Sequence, residues 1–159
     1  TIGPLIDSYA AEDVKSLIED AKIKGARVEL GGNICDLGDN FINPTILSNI
    51  NTSMRVFNEE IFGPVAPIIK FETENEAIEL ANQTDFGLAA YFYSRDVGRV
   101  YRVSEKLEFG IIGVNEGIIS NEMAPFGGIK ESGNGREGSK YGLDDYLEIK
   151  YVCVGGINE

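Results

Sequence analysis

Asn58-Glu59-Glu60-Ile61-Phe62-Gly63-Pro64-Val65 lies near the middle of the chain, and an apolar run continues from Val65 to Phe71. Two adjacent carboxylates are followed by an isoleucine and a phenylalanine. The Gly-Pro pair ends any helix, and the apolar run after it reads as a buried strand. The stretch therefore predicts a helix or turn ending, a break, and a strand, with a carboxylate and an aromatic ring two residues apart at the strand's mouth. A ribose hydroxyl pair and a flat ring are ligands such a place can meet. On spacing alone, the alternative is a helix cap or solvated carboxylates beside a core phenylalanine.

Downstream of it, Thr73 and Glu76 have capping-box spacing ahead of a helix through Gln83, with Ala77, Ile78 and Ala81 inward. Leu88 to Tyr93 reads as a buried strand. Asp96 is placed to cap a helix to about Leu107, with Val97, Val100 and Tyr101 inward, and Phe109 to Val114 is another apolar strand. Helical segments between buried strands define an α/β layer with parallel strands. Upstream, Asp7 or Ser8 caps a helix from Tyr9 to Lys24, whose Val14, Leu17, Ile18 and Ala21 share one face; Gly25 stops it. Short strands follow at Arg27–Leu30 and within Phe41–Ile50. Glu116 to Lys130 has no period and reads as a long functional loop. A short helix is expected near Leu143–Tyr146. Leu147 to Val154 alternates at its start like a half-exposed strand, of the kind that pairs with another segment or subunit.

Composition narrows the function. The 159 residues are 43% hydrophobic and 25% charged, with a net charge of −12, a globular profile of about one domain. The acidity argues against a nucleic-acid surface, which needs clustered Lys and Arg. No apolar run reaches the ~20 residues of a membrane span, and the first residues lack the basic start and apolar core of a signal peptide. The chain starts at Thr1 rather than Met, as a processed or truncated product would. There is no histidine, which removes His-ligated metals, Ser-His-Asp triads and Cys-His dyads. Cys35 and Cys153 form no CxxC pair and read as structural or incidental, in a reduced cytosolic chain. Lys70, Lys130 and Lys140 read as isolated, exposed cations. Gly133-Asn134-Gly135-Arg136-Glu137-Gly138 matches GxGxxG but lacks the preceding strand and following long helix of a dinucleotide loop, so it reads as a structural turn.

Several motifs together carry more than spacing. Glu59-Glu60-Ile61-Phe62-Gly63-Pro64-Val65 resembles a signature of the NAD(P)-dependent aldehyde dehydrogenase superfamily. Gly3-Pro4-Leu5-Ile6, Asn43-Pro44-Thr45, Phe86-Gly87-Leu88-Ala89, Val114-Asn115 and Pro125-Phe126-Gly127-Gly128-Ile129-Lys130-Glu131-Ser132-Gly133 follow in that family's order, as does Gly135-Arg136-Glu137 before Tyr141-Gly142. Asn115 to Ser120 and Tyr146 to Cys153 look most like succinate-semialdehyde dehydrogenases. The resemblance implies an open, mostly parallel sheet with flanking helices: a partial catalytic domain over residues 1–146, then an oligomerisation strand and tail over 147–159.

It also implies chemistry. In the family a cysteine thiolate attacks an aldehyde, hydride passes to nicotinamide, and water releases the acid. The residue matching Glu60 binds the nicotinamide-ribose hydroxyls, and the one matching Phe62 packs near the nicotinamide. The one matching Ser120 lines the substrate tunnel, where a hydroxyl helps hold a substrate carboxylate. The family's nucleophile, general base, oxyanion-hole asparagine, substrate-binding arginines and Rossmann domain have no match here. The expectations are therefore a C-terminal fragment of a cytoplasmic, homo-oligomeric enzyme that uses NAD or NADP and a small aldehyde, without metal, nucleic acid or membrane. No catalytic residue falls in these residues, and the chain alone is expected to be inactive. The alternatives are a family member with another acyl substrate and a non-catalytic oligomerisation or binding module.

Overall fold

The computed structural model describes residues 2–33 and 36–157. Cys35 lies outside them. The chain divides into two compact units, residues 1–73 and 74–159.

In the first unit, helix α1 (Ser8–Ile23) begins at Asp7, whose Oδ1 accepts the Ala10 N–H at 2.8 Å. That bond satisfies one of the helix's orphan donors. The helix ends as its sequence predicts: Gly25 takes φ 98°, a left-handed conformation that a Cβ disfavours. Strands β1 (Arg27–Leu30), β2 (Thr45–Ser48) and β3 (Val65–Pro67) form one sheet in that order; β1 runs antiparallel to β2, and β3 runs parallel to it. The four-residue helix α2 (Arg55–Asn58) lies on the β2–β3 crossover. Ala11, Val14, Leu17, Ile18 and Ala21 of α1 are buried with Ile42, Leu47, Ile50, Met54 and Val56. This is the face the helical period sets.

One sequence expectation shortens here. The ladder expected over Val65–Phe71 stops at Pro67, because β2 itself ends at Ser48 and Asn49 turns away at φ 58°. Pro67, with no N–H to give, sits on the edge strand where its kind is tolerated.

The second unit contains α3 (Glu74–Asn82), β4 (Phe86–Gly87), β5 (Ala89–Phe92), α4 (Val97–Lys106), β6 (Ile111–Val114), β7 (Ile129–Lys130) and a 3-10 helix at Tyr141–Tyr146. β5 and β6 pair in parallel from Ala89↔Ile111 to Phe92↔Val114, the βαβ arrangement the sequence predicts. β4 and β7 pair antiparallel. Asp96 caps α4, its Oδ1 accepting the Arg99 N–H at 3.0 Å. Glu74 joins α3 to α4 through Arg99 at 2.9 Å and Arg102 at 3.1 Å. Those guanidiniums hold the Glu74 carboxyl below the usual carboxylate range, Arg102 most of all. The α/β class and its small, mostly parallel sheets are as expected.

Other readings are corrected. Val97 and Tyr101 were expected inward but are 69% and 74% exposed; Val103 is the buried residue of α4. Val100, Val103 and Leu107 recur at helical spacing on one stripe, and the first-turn valine and the tyrosine fall beside it. β5 is half-buried rather than buried. Lys130 is exposed as expected but not isolated: its Nζ donates to the Asn82 and Thr84 carbonyls at 3.0 and 3.1 Å and pairs with Glu108 at 2.7 Å. It thus satisfies carbonyls at the end of α3. Lys140 stands 5.0 Å from the Tyr141 ring centroid, within cation–π reach. Leu147–Val154 joins no ladder among the described residues and leaves Leu147, Ile149, Tyr151, Val152 and Val154 exposed. An extended segment is a strand only beside a neighbour.

Leu47 is fully buried at the centre of the first unit. Leu47→Ala is expected to destabilise the chain by about 3 kcal/mol, the transfer loss plus a cavity. Denaturant unfolding with a midpoint within error of the parent would contradict this packing.

Candidate functional site

The segment between α2 and β3 is held from three sides. Arg55 and Glu59 form an i, i+4 pair across α2, with Nε to Oε1 at 2.7 Å and Nη2 to Oε2 at 2.8 Å. Pro64 offers its carbonyl to the Thr45 N–H at 2.8 Å, just ahead of the β2–β3 ladder. Thr45 is itself buried, its hydroxyl donating to the Asn43 carbonyl and accepting the Gly32 N–H. Gly63 passes so close to α1 that a Cβ there would stand 2.6 Å from Val14 Cγ2. Between these anchors Ile61 packs against the core, while Glu60 and Phe62 on either side of it are exposed, Phe62 to 75%.

The two adjacent carboxylates have different surroundings. Glu59 is held by Arg55, whose hydrogen bonds lower its pKa below the usual carboxylate range. Glu60 makes no hydrogen bond or ion pair with the described residues. Asp20, on α1, accepts the Arg55 N–H at 2.9 Å and pairs with Lys24 at 2.8 Å; the backbone bond is the larger cause of its lowered pKa. Lys24 also donates to the Ser53 carbonyl at 2.7 Å. Sequence reasoning did not single out this network. The Arg55–Glu59 spacing was a readable signal, whereas the reach from α1 to α2, 35 residues apart, was not.

Ser120 belongs to the second unit. Its loop leaves the carboxyl end of β6, where Asn115, at φ 56°, accepts the Ser94 N–H and donates to the Ser94 carbonyl at 2.8 and 2.7 Å. Ser139 N–H bonds the Glu122 carbonyl at 2.9 Å, and Phe126 and Glu137 form an antiparallel bridge. These bonds close an open cleft of about 420 Å³ lined by Ser120, Asn121, Glu122, Phe126, Glu137 and Gly138. The lining contains two carboxylates and no Lys or Arg. A second shallow depression, on the outer face of α1 around Tyr9, Glu12 and Asp13, contains none of the sequence-predicted site residues.

The structure thus brings Glu60 and Phe62 to one loop of the first unit and sets Ser120 on a loop of the second. The glycine-rich 133–138 segment is a turn, as read. It follows a two-residue antiparallel strand and leads to a six-residue 3-10 helix, not a long one. Arg136 Nη1 donates to the carbonyls of Gly128, Asn134 and Gly135, so the guanidinium is bound to its own loop. Cys153 is exposed in the terminal segment, outside any helix. Among the described residues no group of His, Cys, Asp and Glu is arranged to hold a metal ion, and no helix is long and apolar enough to cross a membrane.

Comparison with known proteins assigns the class. Residues 1–152 match the aldehyde dehydrogenase family. The chain is 60% identical over 155 residues to the NADP+ succinate-semialdehyde dehydrogenase of Escherichia coli, covering 98% of this chain and 32% of that one. It is 58% identical over 158 residues to the 3-sulfolactaldehyde dehydrogenase of Pseudomonas putida, covering 99% of this chain and 32% of that one. The crystal structure of an E. coli NADP-dependent enzyme superposes with a TM-score of 0.94 at 60% identity, over 98% of this chain and 32% of that one. The chain belongs to the aldehyde dehydrogenase family and spans about a third of the length of these relatives.

Two outcomes test the geometry of the site. Gly63→Ala is expected to cost about 1–3 kcal/mol, as overpacking against a stiff, buried valine does, and Val14→Ala in the same chain to recover part of it. Additive losses in the double variant would contradict the contact. The lowered carboxyls of Asp20 and Glu59 add stability above the unfolded carboxylate range near pH 4, lost as pH falls through their folded values. Melting temperatures between pH 7 and 3 should fall less steeply for Asp20→Asn/Glu59→Gln; an unchanged slope would refute the linkage.

Proposed function

We propose that these residues form the C-terminal part of the catalytic domain of an NAD(P)-dependent aldehyde dehydrogenase whose substrate is succinate semialdehyde. One observation carries the cofactor side of this reading. Of two neighbouring carboxylates, Glu59 is bound by Arg55, while Glu60 stands exposed without a partner among the described residues, two positions from an exposed Phe62. A free carboxylate accepts two hydroxyls at once, and a phenylalanine ring offers a flat apolar face. These residues fit the nicotinamide-ribose end of NAD or NADP: Glu60 would hold the ribose hydroxyls and Phe62 support the ring. When bound, the cofactor supplies the hydride acceptor.

On the substrate side Ser120 would donate its hydroxyl to the far carboxylate of the aldehyde. Glu122 and Glu137 share its cleft, so the cation that balances a substrate anion comes from outside that lining. The names of the two relatives support an aldehyde bearing a distal anion, a carboxylate in one and a sulfonate in the other. A hydroxyl serves either, which makes a sulfonated or longer acidic aldehyde the second reading. We assign no catalytic residue and no metal to these 159 residues. Cys153 is exposed in the terminal segment, outside any helix. The isolated chain therefore turns over no aldehyde. The exposed apolar segment 147–154 supports assembly of copies into a homo-oligomer, and the free thiol suits the cytoplasm.

In the full-length enzyme Glu60→Gln is expected to raise KM for NAD(P) about tenfold, with the aldehyde KM within about twofold. Ser120→Phe should lower kcat/KM for succinate semialdehyde about tenfold relative to butanal. An unchanged cofactor KM would remove the role of Glu60; unchanged selectivity would remove that of Ser120. Turnover of succinate semialdehyde by the purified 159-residue chain would overturn its assignment as a partial catalytic domain.

A further inference from the structure

We infer that Arg55 is a positioning residue for the cofactor site: its guanidinium draws Glu59 back over α2, so that only Glu60 of the two adjacent carboxylates is left to meet the ribose hydroxyls. The inference rests on the reading of Glu60 above and explains how one carboxylate is selected over its neighbour.

Arg55 opens α2 and joins it to α1 at two points. Its backbone N–H donates to Asp20 Oδ2 at 2.9 Å, and Nη1 donates to Ser16 Oγ at 2.6 Å, one helical turn earlier on α1. Nε and Nη2 then take both oxygens of Glu59 at 2.7 and 2.8 Å. This fork-to-fork geometry fixes the carboxylate's plane as well as its position, which a lysine cannot do. Glu59 is the C-cap of α2, already extended at φ −103° and ψ 146°. Holding its side chain sets the direction in which the backbone leaves the helix, and Glu60 is the next residue.

The clamp also removes a competitor. A free Glu59 carboxylate one residue from Glu60 would repel it, compete for the same hydroxyls and add negative charge beside an anionic cofactor. The pair is 36% and 47% exposed, and exposed pairs contribute little to stability. Attachment of α2 to α1 does not need the guanidinium. Met54 and Val56 are buried in the core, and the bond from residue 55 to Asp20 comes from the backbone. The side chain of Arg55 is thus available for orientation.

The test uses the full-length enzyme, with NADPH binding followed by fluorescence and KM values for NADP+ and aldehyde measured separately. Arg55→Gln should weaken NADPH binding and raise KM for NADP+ about fivefold, with the aldehyde KM and kcat at saturating cofactor within about twofold. Adding Glu59→Gln should restore most of the loss, because the freed carboxylate is gone. A purely structural arginine would give no such rescue. If Arg55→Gln cannot be purified, Arg55→Lys, which keeps the charge and loses the fork, should show an intermediate rise that Glu59→Gln again relieves. A normal cofactor KM in the arginine variant, alongside a raised one in Glu60→Gln, overturns the clamp and leaves the ribose site standing. An unrescued double variant also overturns it. A silent Glu60→Gln variant overturns the ribose site and the clamp's purpose with it.

Discussion

At Gly63 the chain crosses α1 with room for a hydrogen and nothing larger before Val14. That contact is the constraint on which the candidate loop of the first unit depends. It brings the loop onto the helix, the Pro64–Thr45 hydrogen bond feeds it into the β2–β3 ladder, and Arg55 holds its other end. A segment fixed at both ends, with Ile61 in the core between them, has its outer side chains chosen for it. Glu60 and Phe62 are outward because Ile61 is inward.

The second unit holds its loop by different means. Burial is thinner there, and backbone hydrogen bonds carry more of the order. Asn115 locks the ends of β5 and β6 together through both groups of Ser94. The Phe126–Glu137 bridge and the Ser139–Glu122 bond then tie the Ser120 loop to the glycine-rich turn, and Arg136 satisfies three carbonyls with one nitrogen. The Gly127 approach is tight as well, with the Gly135 carbonyl oxygen standing where a Cβ would need room. Glycines serve as close backbone contacts here, without the phosphate-binding geometry their spacing imitates.

Much of this was legible in the residues. Asp7, the apolar period of α1 and Gly25 specify that helix from cap to stop. The alternation of apolar strands with a capped helix specifies β5–α4–β6. What was not legible has physical causes. Val97 and Tyr101 are apolar and lie near the stripe, but only packing decides which edge of a helix face is covered. Lys130 reads as a solvated charge until the end of α3 lies within its reach. Leu147–Val154 has strand composition and no partner among the described residues, since pairing is a property of two segments. The site divides the same way. Ser120, proposed for the substrate, lies on the loop after β6, at the carboxyl end of a parallel strand where ligands gather, whereas Glu60, proposed for the cofactor, precedes β3. Spacing could not tell Glu59 from Glu60. Family resemblance separated them, and the Arg55 fork supplies the physical difference.

The central claim is the division of labour between those two carboxylates, and a crystal structure of the full-length enzyme with NADP+ tests it most directly. The account predicts Glu60 oxygens about 2.6–3.0 Å from the nicotinamide-ribose hydroxyls, with Glu59 still held by Arg55. Ribose hydroxyls bound by Glu59, with Glu60 in solvent or on Arg55, would contradict it.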